Sequence, residues 1–497
     1  MLLRSFESFE KTENGYLIHG DAADVKLVFM TDDIIRIRVH FDKGTPMEEE
    51  SYTLVTTAWE DRMDTLLKDE RTRITALDVP CAEDEKTLTF ETVHVTLKLF
   101  KKPFHFELFD KSGKLIYQDL RERAFEKDQI GRLSHFSKVD REFDHFYGFG
   151  EKTGHLDKNG RRLRMSPKDA IGHDPETGDP MYKHIPFYIR VNEHDLRPVG
   201  LFYHNSYDCV FDLGEELSGY WERYCYYQTD GDIDLFLLAG ETLPEILNEY
   251  TLLTGRSALP TKQSLGYCAS TMYYAELEKN CDEEIYKVID KHEKEGILID
   301  NFWLASGYSS GEKDNLRYVF NWNYKRFPEP EKFFENMNAR GINVIPNLKP
   351  GILKHHPYID LFEKNDVFIK TPDGKAPYYG RWWGGEGRFF DFTGPNGRNT
   401  WKQLLEENIL KKGTKTVWND NCEMDGVEDR DAQCDFEGKK GTMAELKILH
   451  SNLMAYTAKQ ALADVYPGER PYIINRAGYA GIQRYAQTWC GDNYTSW

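Results

Sequence analysis

The sequence has few cysteines, and none of them form a recognisable motif. Its eight cysteines are scattered through 497 residues without a Cys-x-x-Cys pair. A chain of this length has enough residues to bury a large core without disulfide bonds, and more than one domain is expected. We therefore predict reduced thiols in a cytoplasmic protein.

Long apolar segments are missing as well. The segment Met1–Glu7 lacks the apolar core of roughly 7 to 15 residues that a signal peptide needs. No run of apolar residues approaches the ~20 residues that a membrane-spanning helix requires. These absences predict a soluble protein with no membrane partner.

The chain also lacks an excess of basic residues, since its formal net charge is −19. Neutralising phosphates requires clustered Lys and Arg, so nucleic acid is excluded as an expected partner. Aromatic residues make up 14% of the chain, and flat rings stack on the apolar faces of sugars. A β-sandwich core rich in Tyr and Phe explains the same content equally well.

Motifs for metals, phosphates and serine hydrolases are absent too. The acidic run Glu423–Asp435 lacks the glycine and the final glutamate of a calcium loop, and His355-His356-Pro357 has no His-Glu-x-x-His partner. The glycines of Gly148–Gly154 neither follow a βαβ unit nor open a helix, and no Gly-x-Ser-x-Gly is present. We predict neither a metal site nor an organic cofactor.

Alternation of apolar and polar residues dominates the first half of the chain. The pattern runs through Ile35–Phe41, Val93–Leu99 and Phe104–Leu108, and it predicts strands with one apolar face. We therefore predict an N-terminal antiparallel β-sandwich over residues 1–245. A long polar loop near residues 150–185 interrupts it, and loops of this length are usually functional.

Strand and helix patterns alternate from about residue 246 onward, which predicts a parallel sheet with crossover helices and a catalytic (β/α)8 TIM-type barrel over residues 246–497. The predicted strands are Lys262–Ala269, Ile297–Leu304, Ile342–Leu348, Thr416–Trp418, Pro471–Asn475 and Arg484–Trp489. Six strands cannot close an eight-stranded barrel. We expect a barrel truncated after about six strands, with its C-terminal part missing; the alternative is that strands were overlooked.

Polar or aromatic residues follow every predicted strand, and in such a barrel they gather at one rim. They are Tyr273 and Tyr274, Ser306 to Ser310, Lys349, Asp420, Arg476 and Asp492. Two carboxylates at this rim suit glycoside cleavage, in which one assists at the anomeric carbon and the other protonates the leaving oxygen. Taken singly, Asp420 and Asp492 are better explained as turn-forming residues than as catalytic groups.

Several motifs in fixed order resemble those of glycoside hydrolase family 31, the α-glucosidase and α-xylosidase family. The resemblance runs from Phe146 to the last residue. The matching segments are Tyr147–Glu151, Tyr182–Phe187, Phe390–Pro395, Trp418–Glu423, and Arg476 followed by Gln483–Tyr485 and Trp489–Asn493. The resemblance implies a β-sandwich joined to a barrel that cleaves α-linked sugars with retention and without a cofactor.

The resemblance also implies roles for individual residues. Asp420 would be the nucleophile and Asp492 the general acid/base, while Arg476 and Trp489 would line the subsite of the cleaved sugar. Asp169, on the long loop, would reach the mouth of the active site. The other predicted substrate-binding residues are Trp418, Tyr308, Lys349 and Trp382.

This sequence departs from the family pattern near the expected pocket. Ala305–Ser309 stands where the family has Asp-Ile-Asp-Tyr-Met, so a carboxylate that commonly holds the terminal glucose is absent. Asn421-Cys422 replaces Met-Asn, and Lys349 stands where an acidic or amide residue is common. These departures put glucose specificity in question.

The combined prediction is a retaining, exo-acting α-glycoside hydrolase, similar to α-glucosidases, which acts on an oligosaccharide or α-glycoside by double displacement. Its two catalytic carboxyls should lie ~5 to 5.5 Å apart. Alternatives are an α-transglycosylase or α-glucan lyase using the same site, a non-catalytic carbohydrate-binding protein, and a fragment unable to fold. Homo-oligomerisation stays open.

Overall fold

The computed structural model describes residues 1–194, 196–216 and 224–493. Packing divides the chain into two compact units. The first contains Met1–Ser166, Ala170–Arg256 and residues 492–493; the second contains Pro167–Asp169 and Ser257–Gly491. Residues 494–497, the end of the predicted barrel domain, lie outside the described residues.

The first unit is built almost entirely of β-strands, with one α-helix, α1 (Leu243–Thr254). The strands are β1 (Phe6–Thr12), β2 (Gly15–Gly20), β3 (Asp24–Phe29), β4 (Ile34–His40), β5 (Thr56–Thr57), β6 (Thr72–Arg73), β7 (Cys81–Glu83), β8 (Thr87–Glu91), β9 (Val95–Lys101), β10 (Phe104–Asp110), β11 (Leu115–Gln118), β12 (Phe125–Lys127), β13 (Leu133–Lys138), β14 (Asp144–Gly148), β15 (Arg162–Met165), β16 (Lys183–His184), β17 (Phe187–Asn192), β18 (Pro198–Tyr203), β19 (Cys209–Asp212), β20 (Tyr224–Thr229) and β21 (Ile233–Ala239).

Three large antiparallel sheets share one apolar core in this unit. Their strand orders are β1-β2-β3-β4-β21-β18-β17-β14, β11-β10-β9-β8-β7 and β12-β13-β20-β19-β15. The core draws alternate residues from all three sheets, for example Ile37, Leu97 and Phe211, as the period of two requires. The second face of β4 is not solvated, because buried Arg36 pairs with Asp234 of β21 through two 2.7 Å hydrogen bonds.

The second unit alternates strands and helices. Its elements are β22 (Cys268–Thr271), α2 (Cys281–Lys294), β23 (Asn301–Leu304), α3 (Pro330–Ala339), β24 (Asn343–Leu348), β25 (Gly351–Leu353), α4 (Ile359–Lys364), β26 (Gly380–Trp382), β27 (Gly385–Phe389), α5 (Pro395–Asn408), β28 (Thr416–Asn419), β29 (Gln433–Cys434), β30 (Gly441–Thr442), α6 (Met443–Leu446), α7 (Leu449–Val465), β31 (Tyr472–Asn475), β32 (Gly478–Tyr479) and β33 (Gln487–Thr488).

The main sheet of the second unit has six strands in the order β22-β23-β24-β28-β31-β33. Every neighbouring pair is parallel, and the spatial order follows the chain order, as in a (β/α)8 barrel. A small antiparallel sheet, β25-β27-β26, is inserted after β24. The carboxyl ends of the six strands therefore share one edge.

The structure corrects the starts of three predicted strands. β23 begins at Asn301 and β33 at Gln487, whereas strands were predicted from Ile297 and Arg484. Lys262–Leu265 forms a 3-10 turn rather than the start of a strand, and β22 begins only at Cys268. The Thr261 hydroxyl accepts the Ser264 N–H at 3.3 Å, and this local bond stabilises a turn at the expense of extended backbone.

Within the described residues, no helix is both long enough and apolar enough to cross a membrane. All eight cysteines are unpaired.

Candidate active site

Three neighbouring strand ends place the central group of the site. Asp420 directly follows β28, and its N–H donates to the Leu348 carbonyl at the end of β24, 2.8 Å away. On the other side, the Arg476 N–H, just after β31, donates to the Asn419 carbonyl at 3.1 Å. The parallel register thus brings the side chains that follow β24, β28 and β31 together at one edge.

The Asp420 carboxylate accepts hydrogen bonds from both sides. Its Oδ2 accepts from Asn347 Nδ2 at 3.0 Å and from Lys349 Nζ. Its Oδ1 accepts the Asn421 N–H at 2.8 Å and lies 3.2 Å from Arg476 Nη1. Because Asp420 is also 94% buried, with a relative exposure of 6%, its orientation is tightly fixed.

The charge state of Asp420 follows from these neighbours. Burial by itself would raise the pKa of the carboxyl, but the cations Lys349 and Arg476, with hydrogen bonds from Lys349 and Asn347, lower the pKa to about 2. The carboxylate is therefore ionised at neutral pH, as attack on an anomeric carbon requires.

Arg476 connects three carboxylates. Its Nε and Nη2 each donate to one oxygen of Glu423 at 2.8 Å, a bidentate arrangement. Its Nη2 also lies 3.1 Å from Asp169, and its Nη1 faces Asp420. Burial would lower the pKa of the guanidinium, but the surrounding carboxylates raise it, so Arg476 is a permanent cation at the centre of the site.

Asp169 reaches the site from the long polar loop. Besides its ion pair with Arg476, its Oδ2 accepts from Asn421 Nδ2 at 3.3 Å. The segment Pro167–Asp169 packs with the second unit. The structure therefore brings together Asp169, Lys349, Asp420 and Arg476, which were all predicted as site residues.

The two adjacent tryptophans of the inserted sheet have opposite environments. Trp382, predicted to bind substrate, is buried at 9% exposure and packs over Gly351 and Gly384, where an added Cβ would lie 2.3 Å and 2.5 Å from its ring. Trp383 is 49% exposed, and the Lys349 ammonium lies 4.8 Å from its ring centroid. Trp383 therefore offers the accessible ring at this place.

Tyr308 does not have the exposed surface that substrate binding would require. Its side chain is fully buried, and its hydroxyl donates to the Asn347 carbonyl at 2.9 Å. Tyr308 thus supports the strand end that carries Asn347 and Lys349 instead of presenting its own ring.

Three tryptophans cluster on the sheet below the site. The ring centroids of Trp418 and Trp489 are 5.5 Å apart, and Trp303 lies 5.1 Å and 5.8 Å from these two rings. They pack against an apolar cluster of Ile345, Tyr472 and Ile474. Trp418 and Trp489 were predicted as substrate-binding residues, and the structure places them together.

Asp492 packs with the first unit, unlike the other predicted site residues. Its side chain is exposed. Its N–H donates to the Tyr182 hydroxyl at 3.3 Å, and its carbonyl accepts the Gly172 N–H at 3.1 Å. The long polar loop therefore holds the backbone at Asp492.

One group in the described part of the chain has the spacing of metal ligands. Asp391, Cys434 and His450 are buried, with one potential ligand atom each within 4.8 Å of the others. However, His450 Nδ1 faces the Phe392 N–H at 3.3 Å, so the ring hydrogen belongs on Nε2, which faces Cys434 Sγ at 3.6 Å. Burial lowers the pKa of His450 to about 4, and the neutral ring presents no lone pair to a metal at Nε2.

Sequence reasoning missed three residues of the site, namely Asn347, Asn421 and Glu423. Asn347 lies two positions before Lys349, on the same face of a strand end, so alternation could have identified it. Asn421 and Glu423 lie inside the motif around Asp420. Nothing in the sequence signals that Glu423 reaches Arg476, 53 positions away.

Comparison with known proteins defines the class of this fold. The family model for the glycosyl hydrolases family 31 TIM-barrel domain matches residues 257–497. The model for the glycosyl hydrolase 31 N-terminal galactose mutarotase-like domain matches residues 24–212. The chain belongs to glycoside hydrolase family 31.

Two curated α-glucosidases are similar to this chain over most of its length. Alpha-glucosidase 2 of Bacillus thermoamyloliquefaciens is 30% identical over 502 residues, which cover 99% of this chain and 59% of the relative. An alpha-glucosidase of Saccharolobus solfataricus is 27% identical over 379 residues, covering 71% of this chain and 52% of the relative. This chain therefore spans a little over half the length of these relatives.

Solved structures share the fold. A family 31 dextranase of Flavobacterium johnsoniae, complexed with isomaltotriose, superposes with a TM-score of 0.85 at 21% identity over 99% of this chain and 57% of that chain. A cycloalternan-forming enzyme from Listeria monocytogenes, in complex with a pentasaccharide substrate, gives a TM-score of 0.79 at 15% identity over 99% and 46%.

Proposed function

We propose that this chain acts as a retaining, exo-acting α-glycoside hydrolase on terminal α-linked sugars. The observation that carries the proposal is Asp420, an ionised and buried carboxylate fixed by four donors at the carboxyl edge of a barrel sheet. Family membership and the names of the curated relatives support an α-glucoside as the first substrate to test.

The proposed reaction has two steps. Asp420 attacks the anomeric carbon while Asp492 donates a proton to the glycosidic oxygen, which leaves as an alcohol. Water then attacks the glycosyl-Asp420 ester and gives a proton to Asp492, which frees Asp420. Arg476 and Lys349 keep Asp420 ionised, and we assign contacts with sugar hydroxyls to Arg476 and Asp169.

We assign these roles to two domains, a sandwich over residues 1–245 and a barrel over residues 246–497. The first range contains Asp169, within the loop near residues 150–185, and the second contains Asp420 and Asp492. Trp418, Trp489 and Trp383 supply the aromatic surface.

Chemical rescue tests the role of Asp420. The full chain is assayed for p-nitrophenol release from a panel of p-nitrophenyl α-glycosides, alongside Asp420→Ala and the exposed neighbour Asp425→Asn as a matched control. We expect Asp420→Ala to lose activity by several orders of magnitude. Azide, which fits the space left by the carboxylate, should restore turnover and yield a β-glycosyl azide. An active Asp420→Ala variant without azide would disprove the assignment.

Product analysis separates the alternatives that share the glycosyl intermediate. Proton NMR of the first product formed by the native chain should show the α-anomer of the free sugar. A new oligosaccharide would identify an α-transglycosylase, and an unsaturated sugar would identify an α-glucan lyase. Sugar binding without any turnover would identify a carbohydrate-binding protein.

A further inference from the structure

A carboxylate lies beside the segment where the sequence lacks one. Ala305–Ser309, after β23, contains no acidic residue. Glu276 follows β22, the neighbouring strand of the sheet. We propose that Glu276 is the sugar-binding carboxylate of this enzyme and determines which hydroxyl pattern it accepts. This inference rests on the proposed function.

The position of Glu276 is fixed by an arginine. Its Oε1 pairs with Arg317 Nη2, and Arg317 Nε donates to the Ser306 hydroxyl at 3.2 Å. The Glu276 side chain is 33% exposed, whereas that of Arg317 is 11% exposed. The arginine is thus mostly covered, while part of the glutamate side chain remains accessible to a ligand.

Glycine at position 307 makes room for this glutamate. A Cβ at Gly307 would lie 2.2 Å from the Ala275 carbonyl oxygen and 2.7 Å from Glu276 Cγ. Real Cβ atoms do not approach so closely, so any side chain at position 307 would displace Glu276. The segment after β23 therefore has no side chain at the position that Glu276 occupies.

The backbone of both segments is held by a second arginine. Arg326, which is 7% exposed, donates to the carbonyls of Glu276 at 3.2 Å, Leu277 at 2.9 Å and Gly307 at 2.9 Å. Three hydrogen bonds from one buried guanidinium fix the loop after β22 against the loop after β23. A ligand would meet a carboxylate already in place, which favours selective binding.

A continuous series of contacts links Glu276 to the candidate nucleophile. The Arg317 guanidinium lies 5.6 Å from the Trp383 ring centroid, and the Lys349 ammonium lies 4.8 Å from the same ring. Lys349 in turn contacts Asp420. The exposed indole therefore lies between the pair containing Glu276 and the nucleophile.

This arrangement fits a neutral pyranose. The ring face of a sugar packs on an exposed aromatic side chain, and a carboxylate accepts hydrogen bonds from adjacent hydroxyls. Arg317 neutralises Glu276, so the pair gives the site no surplus cation to favour an acidic sugar. A polar group built for a hydroxyl discriminates strongly against analogues that lack it.

The test combines variants with deoxy substrates. The full chain, Glu276→Ala, Glu276→Asp and Glu278→Gln are assayed on the best p-nitrophenyl α-glycoside and on its 2-, 3-, 4- and 6-deoxy forms. Glu278 is an exposed glutamate of the same loop and serves as the matched control. We expect Glu276→Ala to lose about 10- to 100-fold in kcat/KM, mainly through KM. Glu276→Asp should lose less, and Glu278→Gln should stay within about twofold.

The deoxy series distinguishes binding from a general structural effect. One deoxy substrate should be hydrolysed less well than its parent by the native chain, because it lacks the hydroxyl that Glu276 binds. Glu276→Ala should hydrolyse that deoxy substrate and its parent equally well, because this variant has already lost the carboxylate that the hydroxyl contacts. Equal losses across all deoxy forms in both proteins would overturn the inference. Unfolding in urea, measured for each variant, identifies any variant that has failed to fold. If Glu276→Ala does not fold, Glu276→Asp is compared with the native chain in the deoxy series instead.

Binding measurements separate this inference from the proposed function. In the Asp420→Ala background, calorimetry with methyl α-glycosides compares Glu276 with Glu276→Ala. Tight binding that depends on Glu276, without turnover by the native chain, would support the inference and reject the proposed hydrolase. Turnover or binding that is indifferent to Glu276 would reject the inference alone, and the absence of both would reject both.

Discussion

Asp420 is surrounded by more donors than a free nucleophile needs. Four groups converge on its two oxygens, and the carboxylate has about four lone-pair directions in all. A sugar can reach Oδ1 or Oδ2 only by displacing or tilting one of these donors. Lys349 is the most mobile candidate, since its ammonium sits on a flexible stem, whereas Arg476 is held by Glu423.

Replacing Lys349 by methionine should move the pH profile in a defined direction. Loss of the ammonium removes the largest factor that lowers the pKa of Asp420, so that pKa rises from about 2. The acidic limb of kcat/KM, set by ionisation of Asp420, should therefore shift to higher pH. Lys354→Met, at an exposed position on the same segment, should leave the limb unchanged. A shift to lower pH would contradict the assigned ion pair.

Replacing Glu423 by glutamine tests how Arg476 is held. The variant keeps the shape of the side chain but removes the negative charge from a bidentate pair in which both residues are 1% exposed. Breaking a buried pair costs about 3–5 kcal/mol, and the lower end is expected because Asp420 and Asp169 still face the guanidinium. Urea unfolding should show this loss, and kcat/KM should fall at least about tenfold as Arg476 loses its orientation.

Single residues show where sequence reasoning succeeds and where it ends. Asp420 and Arg476 were found because motif order and strand ends specify their places. Trp382 was predicted to bind substrate, yet it ends β26 and is buried, whereas Trp383 lies in the following turn and is exposed. The sequence does not show which of two adjacent tryptophans is buried. Tyr308 was predicted to bind substrate because it follows a strand end. Its ring is buried and its hydroxyl donates to the Asn347 carbonyl, so it supports the strand that carries Asn347.

Among the elements, α5 packs on segments that flank β24, the strand that precedes Lys349. Trp401 of α5 is fully buried and meets Phe320, Phe390 and Phe392 in edge-to-face contacts with centroids 4.7 to 5.2 Å apart. Phe320 lies before β24, whereas Phe390 and Phe392 lie between β24 and β28. One buried indole therefore holds together segments from both sides of β24.

Truncating this side chain should loosen the second unit. Trp401→Ala is expected to lower the free energy of unfolding by about 3–5 kcal/mol, because the cavity cannot be refilled by a ring cluster. Denaturant unfolding followed by far-UV circular dichroism measures the change. Trp401→Phe should retain most of the stability, and equal losses for both variants would contradict the packing explanation.

Helix and strand patterns predicted most elements, and the failures are local. The helices α2 and α3 have the apolar spacing and the following glycine by which a sequence indicates a helix. The segment Lys262–Leu265 failed because one hydroxyl, that of Thr261, stabilises a turn in an otherwise strand-like run. Such a side-chain bond depends on geometry that periodicity does not encode.

At the scale of the whole chain, the topology of the parallel sheet could be predicted from the sequence, whereas the packing of Pro167–Asp169 could not be predicted from its residues. Alternation of strands and helices was enough to predict a parallel barrel sheet, because few topologies satisfy that pattern. By contrast, the docking of Pro167–Asp169 in the second unit joins residues about 300 positions apart, as the contact of Asp169 with Arg476 shows. Only a motif shared with a known family gave any hint of it.

A buried ion pair makes the stability of the first unit sensitive to acid. In the first unit, Asp234 is buried and bonded to Arg36 of β4, 198 positions away. Burial would raise the pKa of Asp234, but Arg36 and His204 lower it well below the usual value. A carboxyl with a lowered folded pKa stabilises the protein above its unfolded pKa of about 4, and this contribution is lost progressively as the pH falls from that value through the lower folded pKa.

Asp234→Asn should therefore flatten the acid dependence of the first unit. At pH 7 the variant leaves Arg36, which is 1% exposed, with Glu49 as its remaining carboxylate at 2.8 Å, and we expect a loss of about 3–5 kcal/mol. Toward pH 3 the native protein loses part of this contribution, so the difference in stability between the two proteins should narrow. Urea titrations at several pH values, with exposed Asp69→Asn as the control, measure the difference. A gap that stays constant with pH would mean that the pair acts through packing and not through the charge of Asp234.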